Sequence, residues 1–281
     1  MANHEAQASI LPADSDEDMI GEQVIVWTGI GWDGFETFLE VRGESRRPKI
    51  LYLDGDLTLI SRDYARIDGD QVMVLYQVGW DGYEKLLQLP ATGSRPRLLY
   101  LDEDLTLMTP SHIHELWVDR LGTFVRELVI ELNIPCIPTR ETIFRRGYDG
   151  AGVQPDDSFY FANRGPIAAR KRKSNIDLQD DPPPDLAIAF VPTDDADDAV
   201  EVLRRLGVPE VWVGNEDRLE FLIRDDTGQY CEAERSLVFP LLTAAEVFDS
   251  VARTDLDLLS DWARALRRWI AEVVTPRIQP G

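Results

Sequence analysis

Cysteine and histidine are scarce in this chain of 281 residues, with two of the first (Cys136 and Cys231) and three of the second. Two cysteines far apart in sequence give no disulfide framework, so a reducing, cytoplasmic setting is the expectation. Long apolar runs are absent too. None approaches the roughly 18 to 20 residues that span a bilayer, so no membrane partner is expected. The amino-terminal stretch MANHEAQASILPADSDED lacks the basic and apolar regions of a secretory signal. Positive charge is in deficit, with 29 Lys and Arg against 51 Asp and Glu and a formal net charge of −22. That balance disfavours a protein that coats DNA or anionic lipid with its whole surface. A local basic patch or a bound divalent metal can still bring a phosphate in. Apolar residues are not lacking: 44% hydrophobic and 9% aromatic content argues against global disorder. The length suits one large domain or two small ones.

The strongest pattern is an ungapped duplication at an offset of 48 residues, 24–63 against 72–111, with 18 of 40 positions identical. The identities include GWDG, an Arg-Pro pair and the frame LYLD-x-DLTL. Each copy reads as strand, turn, short helix, loop, strand, turn, strand. Phe35, Phe38 and Leu39 have the spacing of one buried helical face. Asp54-Gly55-Asp56 between apolar alternations is a hairpin signal. Two copies are fewer than a solenoid needs, so they read as a duplicated subdomain. Within the first copy, GIGWDG at 29–34 with Asp54 downstream satisfies a dinucleotide-binding spacing. The short helix that follows, Gln77 at the first-glycine position of the second copy, and the hairpin at Asp54 favour a tight turn instead.

Beyond the repeat, Ile113, Trp117, Leu121, Phe124, Leu128 and Leu132 mark a long helix with Ser111 as N-cap. Apolar strands follow at 136–144, 159–161, 186–191, 211–213, 219–223 and 229–233. An acid-rich helix is expected from 194 to 206. Thr243-Ala-Ala-Glu246 has the spacing of a capping box and opens the closing helices. The expected architecture is α/β, a mixed sheet flanked by helices.

Metal-assisted phosphodiester cleavage needs carboxylates that converge from neighbouring strands on one or two divalent cations. Asp156 and Asp185 each follow a proline at the mouth of an apolar strand, and pairing of those strands is expected to set them side by side. Residues 164–173 reverse the local charge, and Arg170, Lys171, Arg172 and Lys173 read as a phosphate clamp. His112 and His114 are i, i+2 on a helix and face apart, which disfavours a shared metal there. Cys136 with His114 forms no nucleophile motif.

From about residue 72 to 274 the order of motifs resembles the Uma-type restriction-endonuclease family, within the PD-(D/E)XK nuclease superfamily. The segments that carry the likeness are LYLDEDLTLMTPSHIHE at 99–115, VQPDDSFYFAN at 153–163, DLQDDPPPDLAIAF at 177–190, LGVPEVWV at 206–213 and ERSLVFPLLT at 234–243. The resemblance implies a restriction-endonuclease-like core, placed over 71–281; composition and the duplication set an acidic disordered tail at 1–22 and the first repeat copy at 23–66 before it. The resemblance also implies Asp156 and Asp185 as metal-binding acids, His114 and Glu115 as site residues, Mg²⁺ or Mn²⁺ as cofactor, and DNA as partner through the basic loop.

Two departures weigh on activity. Ala189 stands where the family has Glu, and Ala199 stands about where it has Lys. A methyl group neither ligates a cation nor orients water. Gln154 also stands where the family often has Glu, and the acids at 194–198 would repel phosphate. Glu201 is one candidate for a migrated ligand. The sequence thus supports a divalent-metal endonuclease-like protein with impaired or lost catalysis, or a non-catalytic interaction module that works through a protein partner or a homodimer.

Overall fold

The structure, a computed structural model, describes residues 23–43, 45, 48–61, 69–90, 95–169, 175–191, 197–253 and 258–278. The tail expected at 1–22 lies outside them. The first repeat copy folds as β1 (Gln23–Trp27), α1 (Gly31–Arg42), β2 (Lys49–Leu53) and β3 (Asp56–Ser61). The second follows the same order, as β4 (Gln71–Leu75), α2 (Gly79–Leu87), β5 (Arg97–Leu101) and β6 (Asp104–Thr109). In each copy the last strand lies in the middle and pairs antiparallel with the other two.

Equivalent side chains recur in equivalent places. Asp56 Oδ1 accepts the Gly29 N–H at 2.8 Å, and Asp104 Oδ1 accepts the Gln77 N–H at 3.0 Å. Trp32, Phe35 and Tyr52 cluster in the first copy as Trp80, Tyr83 and Tyr100 do in the second. The copies also face each other reciprocally. Gln23 Oε1 accepts from Val72 N at 2.7 Å, and Gln71 Oε1 accepts from Val24 N at 3.1 Å. Between them lies one apolar core with Trp27, Phe38 and Leu57 from one side and Tyr83, Leu86 and Leu107 from the other.

The GIGWDG segment is spent on this architecture. Gly29 and Gly31 take φ of 70° and 66°, conformations that favour glycine. Gly31 N–H donates to the Gly55 carbonyl at 3.1 Å, so two of the amides that would cradle a phosphate close the hairpin instead.

The remainder runs α3 (His112–Glu131), β7 (Ile137–Pro138), β8 (Ile143–Arg146), β9 (Ala151–Val153), β10 (Asp157–Tyr160) and α4 (Arg164–Ala169). It continues with β11 (Asn175–Asp177), β12 (Leu186–Phe190), α5 (Asp197–Arg205), β13 (Glu210–Gly214), β14 (Leu219–Arg224) and β15 (Tyr230–Ala233). Helices α6 (Ala244–Val251) and α7 (Leu259–Trp269) close it. Ser111 caps α3 through its hydroxyl, and Thr243 with Glu246 forms the capping box of α6.

The expectation of one sheet is corrected to three among the described residues. The first copy keeps its own three strands. The second copy joins a six-stranded sheet ordered β11-β8-β9-β5-β6-β4, and the other six form β15-β14-β13-β12-β10-β7. The division arises because β9 pairs with the outer edge of β5, drawing the β8–β9 hairpin onto the repeat. Strand β12 runs parallel to β13, and the crossover between them contains α5. One core packs α3, α6 and α7 on that last sheet through Phe124, Leu128, Trp212, Phe221 and Trp262. Another joins both large sheets to α5 through Phe144, Tyr160, Ala187, Val202 and Leu206.

Candidate functional site

The first turn of α3, the start of β5 and the start of β10 meet at a buried cluster of charge. Ser111 turns the chain into α3 and so presents His114, which is fully buried, and Glu115 on the next position. The β5–β6 hairpin brings in Arg97, a buried cation at the first position of an otherwise apolar strand. Asp156 enters from the turn before β10, its N–H donating to the Ile188 carbonyl at 3.1 Å.

The guanidinium of Arg97 ties these together. Its Nη1 donates to Asp156 Oδ1, and its Nη2 donates to Glu115 Oε1 at 2.8 Å. His114 Nε2 lies 2.8 Å from the same Asp156 oxygen, and Nδ1 lies 2.7 Å from Asp70 Oδ2. Arg97 Nη1 also lies 3.1 Å from His114 Nε2, so that nitrogen sits between a guanidinium donor and a carboxylate acceptor, and the tautomer decides which of them it bonds. The other Asp156 oxygen accepts the Phe190 N–H at 2.5 Å. Asp156 is thus held by a guanidinium, an imidazole and a main-chain amide. Asp70 also accepts the Ser111 N–H at 2.7 Å. Burial pushes the Asp70 carboxyl up, but His114 and the Ser111 donors outweigh it and leave the group below the ordinary carboxylate value.

A small cavity of about 100 Å³ opens beside Asp156, lined by Glu115, Val118, Asp119, Arg126, Arg140, Glu141 and Asp157 among others. Asp157 pairs there with Arg126, while burial keeps its carboxyl above the ordinary value. Gly122 makes room for that pair, since a Cβ on it would collide with the Asp157 carboxylate.

Of the residues expected from sequence, His114, Glu115 and Asp156 converge. Asp185 does not join them. Strands β10 and β12 pair antiparallel, Asp157 opposite Ile188 and Phe159 opposite Leu186. The register sets Asp156 beside position 189 and Asp185 beside Tyr160, roughly 13 Å apart along the strands. Asp185 instead organises a turn, accepting the N–H groups of Phe161 at 2.6 Å and Asn163 at 3.1 Å. Position 189, where the resemblance expects Glu, is the neighbour of Asp156 and carries a buried methyl group.

Arg170, Lys171, Arg172 and Lys173 lie outside the described residues, as do Asp194 and Asp195. Ala199 is half-buried on α5. Glu201, on α5, is paired with Arg204 at 2.6 Å and Arg205 at 2.7 Å. Cys136 is half-buried. Burial, then the charge of Asp157, pushes its thiol up to about 11, so at neutral pH it is not a nucleophilic thiolate. Sequence reasoning missed Arg97 and Asp70. For Arg97 a signal existed, a basic residue opening a buried strand at the position Lys49 holds in the first copy. For Asp70 there was none.

A magnesium ion asks for oxygen ligands at about 2.0–2.1 Å in octahedral array. Here both Asp156 oxygens already accept hydrogen bonds, the cationic place between Asp156 and Glu115 is held by Arg97, and the neighbouring position 189 supplies no carboxylate. Among the described residues no group of three or more His, Cys, Asp or Glu is arranged to hold a metal. The residues do not fit the metal.

No helix among the described residues is long and apolar enough to cross a membrane. No curated protein matches the chain. Among solved structures, one titled "Crystal structure of a putative nuclease belonging to DUF820 from Anabaena variabilis" is similar at 15% sequence identity and a TM-score of 0.44. The match covers 60% of this chain and 97% of that one. The family model described as "Uma2: Putative restriction endonuclease" matches residues 83–256, more than half of the chain. The chain belongs to the Uma2 family of restriction-endonuclease-like proteins.

Proposed function

We propose that this protein is a nuclease-family member that has lost metal-dependent phosphodiester cleavage and serves as an interaction module. The observation that carries the reading is the position of Arg97. Its guanidinium donates to Asp156 and Glu115 and so supplies internally the positive charge that a catalytic cation would bring. Ala189 beside Asp156 and Ala199 on α5 remove the further carboxylate and the lysine that the resemblance calls for. Asp185 belongs to the fold of the 161–163 turn rather than to a cation site. DNA contact through residues 170–173 belongs to this proposal only as non-cleaving binding.

The test is a nicking assay on supercoiled plasmid with Mg²⁺ and with Mn²⁺, run beside calorimetric titration of each ion. No cleavage and no stoichiometric ion binding are expected of the wild type. Metal-dependent nicking that Asp156→Asn abolishes would overturn the loss of catalysis. In the double variant Arg97→Ala/Ala189→Glu, stoichiometric Mn²⁺ binding is expected where the wild type has none.

A further inference from the structure

The two repeat copies differ most in what covers their aromatic clusters. In the second copy, strand β9 pairs antiparallel with the outer edge of β5, Tyr100 opposite Gly152. Gly152 lies on the ring of Tyr83, and a Cβ there would sit 2.5 Å from the Tyr83 hydroxyl, so only glycine allows the approach. Arg145 of the adjoining strand reaches Glu84 at 2.5 Å. Tyr83 and Tyr100 are buried as a result.

The first copy presents the same edge without the same cover. Strand β2, the counterpart of β5, ends its sheet, and among the described residues no strand pairs with its outer side. Trp32 is 56% exposed, and Phe35 and Tyr52, the counterparts of Tyr83 and Tyr100, are only half-buried. Glu36, the counterpart of Glu84, is exposed. In the second copy the β5 groups that face β9 include the Leu98 carbonyl and the Asp102 N–H, which bond Gln154 N and Gly150 O. The alternation of an antiparallel ladder then assigns the outward-facing main-chain groups of the first copy to Ile50, Tyr52 and Asp54.

We propose that the outer edge of β2 receives an extended strand of a partner protein, paired antiparallel with Ile50 to Asp54. That strand sets a glycine over Phe35 and Tyr52, and a second strand hairpinned to it sets a basic residue against Glu36, as β9 and β8 do in the second copy. Main-chain pairing supplies affinity in such additions, and side-chain pockets supply the choice of partner. The acidic balance of the chain, −22, complements a basic strand and opposes a second copy of the same chain on this edge. The inference rests on the interaction-module reading for its meaning. Strand binding is measured without metal or nucleic acid, so either can fail while the other stands.

The probe is a terminally blocked peptide of the chain's own sequence Ile143–Gln154, IFRRGYDGAGVQ, titrated into ¹⁵N-labelled full-length protein. Saturable binding is expected, with amide shifts and slowed exchange at Ile50, Tyr52 and Asp54 and a change in Trp32 fluorescence. The peptide with Gly152→Val is expected to bind about tenfold more weakly or worse, for want of room over the ring. In the protein, Glu36→Arg is expected to weaken binding of the parent peptide. Ile50→Pro, which removes an outward N–H and no β2–β3 bond, is expected to abolish it. If Ile50→Pro fails to fold, the comparison of the two peptides on wild-type protein still decides. Absence of saturable binding at millimolar peptide, equal binding of the Gly152→Val peptide, or shifts confined to β5 would each overturn the proposal. So would a concentration-dependent dimer of the protein alone that protects the β2 amides.

Discussion

Arg97 and Asp156 form a buried ion pair, each side chain only 6% exposed, although 59 residues of chain separate them. Removing one member of such a pair strands the other charge in a poorly solvated place, which typically costs about 3–5 kcal/mol. Arg97→Met, which keeps the length and loses the charge, is therefore expected to destabilise the protein by about that amount. Urea denaturation measures it. Because the substitution also vacates the cationic place between Asp156 and Glu115, Mn²⁺ is expected to raise the melting temperature of the variant and leave that of the wild type unchanged.

Asp185→Ala separates a structural from a catalytic role for that residue. The change leaves the N–H groups of Phe161 and Asn163 without their acceptor, and an unsatisfied buried donor costs about 1–3 kcal/mol. A loss of about 2 kcal/mol in denaturant titration is expected. In the background of Arg97→Ala/Ala189→Glu, the same substitution is expected to leave Mn²⁺ affinity where it was.

Local signals were legible in the sequence and long-range pairing was not. Ser111 and the Thr243–Glu246 box announce their helices because a cap is satisfied within three residues. The duplicated frame announces two like-folded units because equal sequences at a fixed offset carry equal local preferences. His114, Glu115 and Asp156 could be picked out by residue type and motif. Arg97 could not be joined to them, because its partners lie 17, 18 and 59 residues away and meet only through packing. Asp185 was misplaced for a different reason. Pro-Asp marks where a strand starts but not whether its neighbour runs with it or against it, and antiparallel pairing sends the two starts to opposite ends.

The hairpin turns of the two copies differ by one residue that bears on stability. Asp54-Gly55 takes φ of 52° and 94°, and the equivalent Asp102-Glu103 takes 48° and 77°. Glycine adopts such a backbone freely, whereas a residue with a Cβ pays about 1 kcal/mol or more. The Glu103 carbonyl, which accepts from Val78 N at 2.8 Å, is a main-chain group that any residue supplies. Glu103→Gly is expected to raise stability by about 1 kcal/mol, read as a higher melting temperature with unchanged circular dichroism.

Glu201 fixes a direction for the acid limb of the stability profile. Hydrogen bonds from Arg204, the largest cause, and from Arg205 pull its carboxyl from the ordinary 4.5 down to about 2. A carboxyl depressed in the folded state contributes stability that is fully present above its unfolded value and is lost as protons bind the folded form. The contribution therefore fades as pH falls from about 4.5 towards about 2. Asp70, also held below its ordinary value, adds in the same direction. Arg205 carries the effect further, since it also grips Asp102 at 2.6 and 2.7 Å and so ties α5 to the β5–β6 hairpin. Glu201→Gln is expected to be less stable than wild type at pH 7, with the difference shrinking steadily below pH 4.5 and nearly gone at about pH 2. Urea midpoints taken across that range check it. A difference that stays constant with pH would mean the glutamate acts through packing on Arg204 and Arg205 and not through its charge.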